Sequence, residues 1–277
     1  MRIWSGAICF GYARPATGAL RFRPMTVDPH DAVEVIDHGA GCPILLICEH
    51  ASPHVPPGWG KLGLQDDDLA RHIGWDIGAA DIARRLADDL GASAVLARYS
   101  RLFIDCNRDP DRDDSIPAIS DGIAVPGNMG LTPEERQRRR ALAFTPLHDR
   151  IGAMIERHLA SGVTPTIVPI HSFTPEMQGV RRPWHMGVLW NECDALGASL
   201  MQALQDLGDM AGLEIGANQP YSAREFVTYT MEQHGRKRGL ANVALEIRND
   251  LAGDPALQPR LAAHIARALR RAILPAA

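Results

Sequence analysis

The chain has 277 residues, 45% of them hydrophobic, which is enough for one large α/β domain with a proper core. A net charge of −4 and a pI near 6.2 give no reason to expect nucleic acid or an anionic membrane surface as a partner. No apolar run approaches the ~20 residues that span a bilayer. The five cysteines (Cys9, Cys42, Cys48, Cys106 and Cys193) form no C-x-x-C pair, and their odd number and wide spacing predict free thiols in a reducing, cytoplasmic compartment. The oligomeric state is not legible from the sequence.

Residues 1–24 carry Arg2, Arg14, Arg21 and Arg23 and no acid. They are read as an extension outside the core, with a single domain over 25–277. Val33 to Ile36 reads as a short edge strand. Ile44-Leu45-Leu46-Ile47 follows Gly41 and Pro43 and reads as a strand buried on both faces, leading into Cys48-Glu49-His50. Pro53, Pro56 and Pro57 then exclude regular structure. Asp66, Asp67 and Asp68 suit a first helical turn, and a helix in two pieces is expected to Leu90, broken at Gly74 and Gly78 and stopped by Gly91.

Ala94 to Ala97 and Leu102 to Ile104 read as two further strands. The Asp-, Pro- and Gly-rich stretch 109–128 reads as a long excursion at the active-site end. Thr132-Pro133-Glu134-Glu135 is a capped helix start, and the helix is expected to run to Gly162 with an interruption near Pro146. Strands follow at Thr166 to Ile170, Met186 to Trp190 and Val243 to Ile247. Helices are expected over Asp194–Ala211 and Pro255–Ile273, with a short strand and turn between Gly212 and Tyr221. This alternation predicts an α/β fold with a central, mostly parallel sheet covered by helices on both faces.

Two apolar strands ending in His50 and His171 suggest one metal site, because ligands in such sheets bind beyond the carboxyl ends of the strands. A catalytic zinc takes three protein ligands and keeps one open position. The third ligand is Glu49 or Asp76. Glu49 reaches the same ion only if its strand has already ended, since strand neighbours point to opposite faces. Arg101 and Arg108 flank Leu102-Phe103-Ile104, and their guanidinium forks suit an acidic substrate, with Asn107 a neutral donor beside them. Glu246 interrupts an apolar strand. A buried carboxylate there fits a general base, and the competing reading pairs it with Arg248 or another arginine.

Cys48-Glu49-His50-Ala51-Ser52, Ser100-Arg101 to Asp105-Cys106-Asn107-Arg108, His171-Ser172-Phe173-Thr174-Pro175, Asn218-Gln219-Pro220-Tyr221 and Leu245 to Asp250 occur in this order. Together they resemble the N-formylglutamate amidohydrolase family, over nearly all of Ile44 to Leu251. Asp105-x-Asn107-Arg108 also resembles the D-x-N-R of aspartoacylases, in the wider zinc-carboxypeptidase-like group. The resemblance implies a phosphorylase/hydrolase-like sheet, one Zn2+ per chain, and hydrolysis of an amide that bears a nearby carboxylate. His50 and His171 would then be ligands, Glu246 the base, and Arg101 the group that polarises the carbonyl. Asn107 and Arg108 would hold the substrate carboxylate, with Arg182 a further contact. Tyr221 and His234 are read as residues that close over the pocket or pack beside it. The H-x-x-E metal motif of the wider group is absent, since Pro53 occupies its acid position. The expected substrate is a small anionic N-acyl amino acid, first of all N-formyl-L-glutamate, a step in histidine breakdown. Alternatives are deacylation or carboxypeptidase action on another N-acyl amino acid or small peptide, and non-catalytic binding of acidic amino acids.

Overall fold

The computed structural model describes residues 32–207, 210, 212–222 and 228–274. Residues 1–24, with Cys9, lie outside the described residues.

Strands β1 (Val33–Ile36), β2 (Ile44–Cys48) and β3 (Ser93–Ala97) form one side of the main sheet. Two small ribbons follow, β4 (Ile119–Ser120) with β5 (Ile123–Ala124), and β7 (Glu176–Met177) with β8 (Val180–Arg181). Strand β6 (Thr166–Phe173) is central, and β9 (Met186–Leu189), β10 (Ile215–Ala217) and β11 (Ala244–Arg248) complete the order β1-β3-β2-β6-β11-β9-β10. Strands β3, β2, β6 and β11 run parallel, whereas β1 pairs antiparallel with β3 and β9 antiparallel with β11. The sheet is therefore mixed, with a parallel centre.

The helices are α1 (Asp66–Leu69), α2 (Ala79–Leu90), α3 (Pro133–Arg139), α4 (Thr145–Ala160), α5 (Asp194–Asp206), α6 (Asn249–Ala252) and α7 (Gln258–Ile273). The alternation of β2 divides the core between them. Ile44, Leu46 and Cys48 pack in one cluster with Ile82, Leu86, Leu200, Leu261 and Ile265 of α2, α5 and α7. Leu45 and Ile47 pack in the other with Leu147, Ile151 and Ile155 of α4. Each such buried aliphatic side chain is worth about 1.5–3 kcal/mol before entropy is counted. No helix among the described residues is long and apolar enough to cross a membrane. Cys42, Cys48, Cys106 and Cys193 are free thiols.

Several expectations need correction. Leu102-Phe103-Ile104 is a turn rather than a strand. Phe103 N–H donates to Ser100 O and Leu102 N–H to Ser100 Oγ, and the three side chains fill the α4-side core. Apolarity there marked burial without marking a period. Pro146 does not break its helix. The chain widens into a π-turn over Arg140–Phe144, where Thr145 N–H reaches Arg140 O, and α4 continues from there. Strand β6 runs past His171 to Phe173. Helix α5 stops at Asp206, because Leu207 turns to extended backbone. The break expected at Gly78 is real. Its φ is +79° and an added Cβ would lie 2.0 Å from Ala252 O, so a side chain fits neither the torsion nor the space.

Candidate metal centre

Strand β2 ends at Cys48, so Glu49 and His50 leave the sheet and are freed from strand alternation. Asp76 N–H donates to His50 O at 2.9 Å and ties the loop before α2 to that end. His171 enters from β6, and its neighbour Ser172 donates N–H to Asp76 Oδ2 and Oγ–H to Ile77 O.

The side chains converge. Asp76 Oδ2 lies 2.8 Å from His171 Nδ1 and 3.3 Å from His50 Nδ1, and the two rings are 5.1 Å apart at their centroids. One donor atom from each of His50, Asp76 and His171 lies within 4.8 Å of the others, and all three residues are buried. Ligands bound at 2.0–2.1 Å around a tetrahedral ion are about 3.3 Å apart, so this spacing suits a divalent ion. The His/Asp/His donors could coordinate such a metal. The outer ring nitrogens face carboxylates: His50 Nε2 is 2.8 Å from Asp105 Oδ1, and His171 Nε2 is 3.3 Å from Glu49 Oε2. Carboxylates behind ligating imidazoles fix ring orientation and tautomer. Glu49 thus stands behind His171 rather than His50, and Asp105 takes the place behind His50.

Charge is sorted unevenly within this cluster. Burial pushes the Asp76 carboxyl up, yet His50 and His171 hold it well below the usual range. Burial opposes ionisation of Glu49 too, but His171 and then His50 keep it at about 2. Burial disfavours a charged His171, and Glu49 and Asp76 still raise it well above the usual imidazole value. Glu246 behaves differently. Burial, with a contribution from Asp76, pushes it up to about 7 against the pull of His171, His50 and Arg101. Among the described residues its Oε2 is buried without a hydrogen-bond partner. Glu246 is the Cα partner of His171 across β11 and β6, which puts both side chains on the α4 side of the sheet. Glu49, Asp76 and Asp105 are thus held low while Glu246 is poised near neutrality, an arrangement able to keep metal binding and acid–base chemistry on different residues. Arg248, the alternative partner for Glu246, instead pairs with Asp250.

Arg101 bridges the cluster, with Nη1 3.3 Å from Asp76 Oδ1 and Nη2 2.7 Å from Asp105 Oδ2. Arg108 lies on the rim, with Nη1 2.7 Å from Asp114 Oδ2 and Nε 3.5 Å from Asp105 Oδ2. Asn107 is fixed through its Oδ1, which accepts Thr230 N–H at 3.1 Å, and its Nδ2 lies 3.3 Å from His171 Nε2. Arg182 stacks over Tyr221, 4.8 Å from the ring centroid, and donates Nη1–H to Tyr221 Oη and Thr174 Oγ1. Among the described residues no carboxylate pairs with Arg182. His234 is buried against His148, so it packs behind the site. Asp105 is the residue sequence reasoning undervalued. It accepts from His50, Arg101 and the Asn107 N–H together, and its place two residues before Asn107, next to an apolar turn, was the available signal.

No curated protein matches the chain significantly. A gene product of Agrobacterium tumefaciens with a crystal structure is 36% identical, with a TM-score of 0.82 over 87% of this chain and 94% of that one. An N-formylglutamate amidohydrolase from Ralstonia eutropha JMP134 is 18% identical, with a TM-score of 0.66 over 87% of this chain and 97% of that one, a likeness of fold. The N-formylglutamate amidohydrolase family profile matches residues 42–252, which hold His50, Asp76, Arg101, His171 and Glu246. A buried His/Asp/His cluster, a carboxyl poised near neutrality and a family match over most of the length lead to one assignment: the chain is a hydrolase of the N-formylglutamate amidohydrolase family.

Proposed function

We propose that the chain hydrolyses the amide of an N-formyl or N-acyl acidic amino acid, with N-formyl-L-glutamate the preferred substrate and formate and L-glutamate the products. The observation that carries this reading is Glu246, a buried carboxyl held near neutrality and aligned with His171 beside a metal-capable His/Asp/His set. His50, Asp76 and His171 are the ligand set of choice, and their nitrogen and oxygen donors suit Zn2+. When bound, zinc supplies Lewis acidity, lowering the pKa of water toward about 7 and polarising a carbonyl.

The chain's own groups supply the rest. Glu246 takes a proton from the attacking water and returns it to the departing amine nitrogen as the C–N bond breaks, so one water is consumed per turnover. Arg101 has five N–H donors and commits two of them to Asp76 and Asp105, so it remains able to steady the oxyanion. Arg108, Asn107 and Arg182 hold the substrate carboxylates. Arg182 is the best prepared of these, since its guanidinium is oriented by Tyr221 and not neutralised by an acid among the described residues. Free thiols suit work in the cytoplasm, and glutamate release suits a place in histidine breakdown.

The test is a panel of N-formyl, N-acetyl and N-carbamoyl amino acids assayed with metal-reconstituted protein. Fastest release of formate from N-formyl-L-glutamate, lost with a chelator and restored by zinc, is the expected result. A fully metal-loaded protein that cleaves no acidic N-acyl amino acid sinks the proposal.

A further inference from the structure

Behind the cluster lies a pair of histidines the chemistry above does not use. His148 Nδ1 is 2.9 Å from His234 Nε2, and His148 Nε2 is 2.8 Å from Cys106 O. A carbonyl oxygen only accepts, so His148 Nε2 carries the hydrogen. Burial holds both imidazoles below their ordinary values, His234 down to about 3, so both are neutral. His148 Nδ1 is then an acceptor and His234 Nε2 its donor. With both rings neutral, one backbone carbonyl sets the direction of the two hydrogen bonds.

The pair closes a ring of contacts around Asn107. Cys106, which receives His148, precedes Asn107. Asn107 O accepts Tyr229 N–H at 3.1 Å and Asn107 Oδ1 accepts Thr230 N–H at 3.1 Å. From Thr230 the chain enters a π-turn, Met231–Gly235, that carries His234 back to His148. His148 follows the other π-turn, Arg140–Phe144, and its ring is 4.3 Å from Phe144 and 4.9 Å from Tyr229. π-turns are rare and collect near functional sites, where they aim side chains that a regular helix would misplace. Here both aim a histidine at the other.

We propose that the His148–His234 pair is a positioning device for Asn107, holding its Oδ1 on Thr230 N–H and so fixing the side chain next to His171. Its effect on turnover rests on the function proposed above. Its effect on Asn107 does not.

His234→Leu removes the donor to His148, whereas His234→Gln keeps an amide N–H at the reach of Nε2. In the zinc-loaded, 15N-labelled chain, the Thr230 N–H that Asn107 Oδ1 accepts is expected to exchange with solvent at least about 10-fold faster in the Leu variant and to recover in the Gln variant. The Asn128 amide, held by Leu102 O and Pro117 O, serves as control and stays protected throughout. The kcat/KM for N-formyl-L-glutamate should fall with Leu and return with Gln, and His234→Leu should cost nothing further in an Asn107→Ala background. Unchanged Thr230 N–H exchange in the Leu variant overturns the proposal. Loss of protection at Asn128 as well overturns it too, because the pair would then support the fold in general. So does an additive loss with Asn107→Ala. A parent chain that turns over no N-acyl amino acid fails the functional reading alone, and the exchange measurement still decides the positioning role.

Discussion

Glu246 and His171 are Cα partners in the parallel ladder between β11 and β6, so one sheet register sets the proposed base beside a proposed ligand. Rigid neighbouring strands hold this spacing better than loops would. Replacing Glu246 by Gln keeps shape and removes the proton acceptor. The kcat should fall by about 10²–10⁴-fold while zinc stays near one per chain. Retained turnover would remove Glu246 from the mechanism.

The same residue links stability to pH. Its folded pKa is raised from 4.5 to about 7, mainly by burial, so the folded chain binds more protons than the unfolded chain between those values. Stability contributed by the protonated form is complete below about 4.5 and is lost as the pH rises through about 7. In metal-free protein, Glu246→Gln should therefore raise stability at pH 8 by about 1–3 kcal/mol, seen as a higher Tm, and the gain should vanish toward pH 4. Thermal melts of both proteins across that range are the check. A gain that grows on acidification has the wrong sign.

The two candidates for the third ligand separate by substitution. Asp76 Oδ2 faces both Nδ1 atoms, whereas Glu49 faces the far nitrogen of His171. Asp76→Asn should leave the purified chain with clearly less than one bound zinc. Glu49→Gln should keep the stoichiometry and weaken affinity by about 10–100-fold, as removal of a carboxylate behind a ligand does. Chelator competition with elemental analysis reads both. Stoichiometric zinc in Asp76→Asn would hand the ligand role to Glu49.

How far the sequence carried depended on which interactions make a residue recognisable. The sheet was legible because Ile44 to Cys48 and Ile167 to Ile170 are unbroken apolar runs, as parallel central strands tend to be. His50, His171 and Glu246 stood out because a polar residue against an apolar strand has to be explained. Leu102 to Ile104 misled because a buried turn and a short buried strand share one composition. The face that Glu49 presents, the sharing of Asp105 and the His148–His234 contact depend on where loops far apart in sequence meet. No local pattern encodes them, as the separation of 86 residues between the paired histidines illustrates.

Substrate charge should be read unequally by the arginines. Arg108 already faces Asp114 and Asp105, while among the described residues the Arg182 guanidinium has only Tyr221 and Thr174. A lysine at either position keeps the charge and loses the planar fork. Arg182→Lys should raise KM for N-formyl-L-glutamate more than Arg108→Lys does, by about 10-fold or more, since a bidentate charged contact is worth on the order of 1.5–3 kcal/mol. An unchanged KM in both variants would remove the arginine clamp.

Gly187 connects the sheet to this substrate side. It is the Cα partner of Glu246 on the antiparallel edge of β11, and a Cβ there would sit 1.7 Å from Gln219 O and 3.4 Å from Glu246 Cβ. The backbone before Tyr221 rests directly on the glycine, so the sequence leaves no side chain between them. Gly187→Ala must push that segment away, and overpacking of this kind costs about 1–3 kcal/mol. Tyr221 would move with it and take the platform from under Arg182. The expected result is a lower Tm together with a raised KM, and a smaller change in kcat because β6 and β11 keep Glu246 and His171 in register. A fall in kcat with KM unchanged would show that the glycine serves the base rather than the substrate platform.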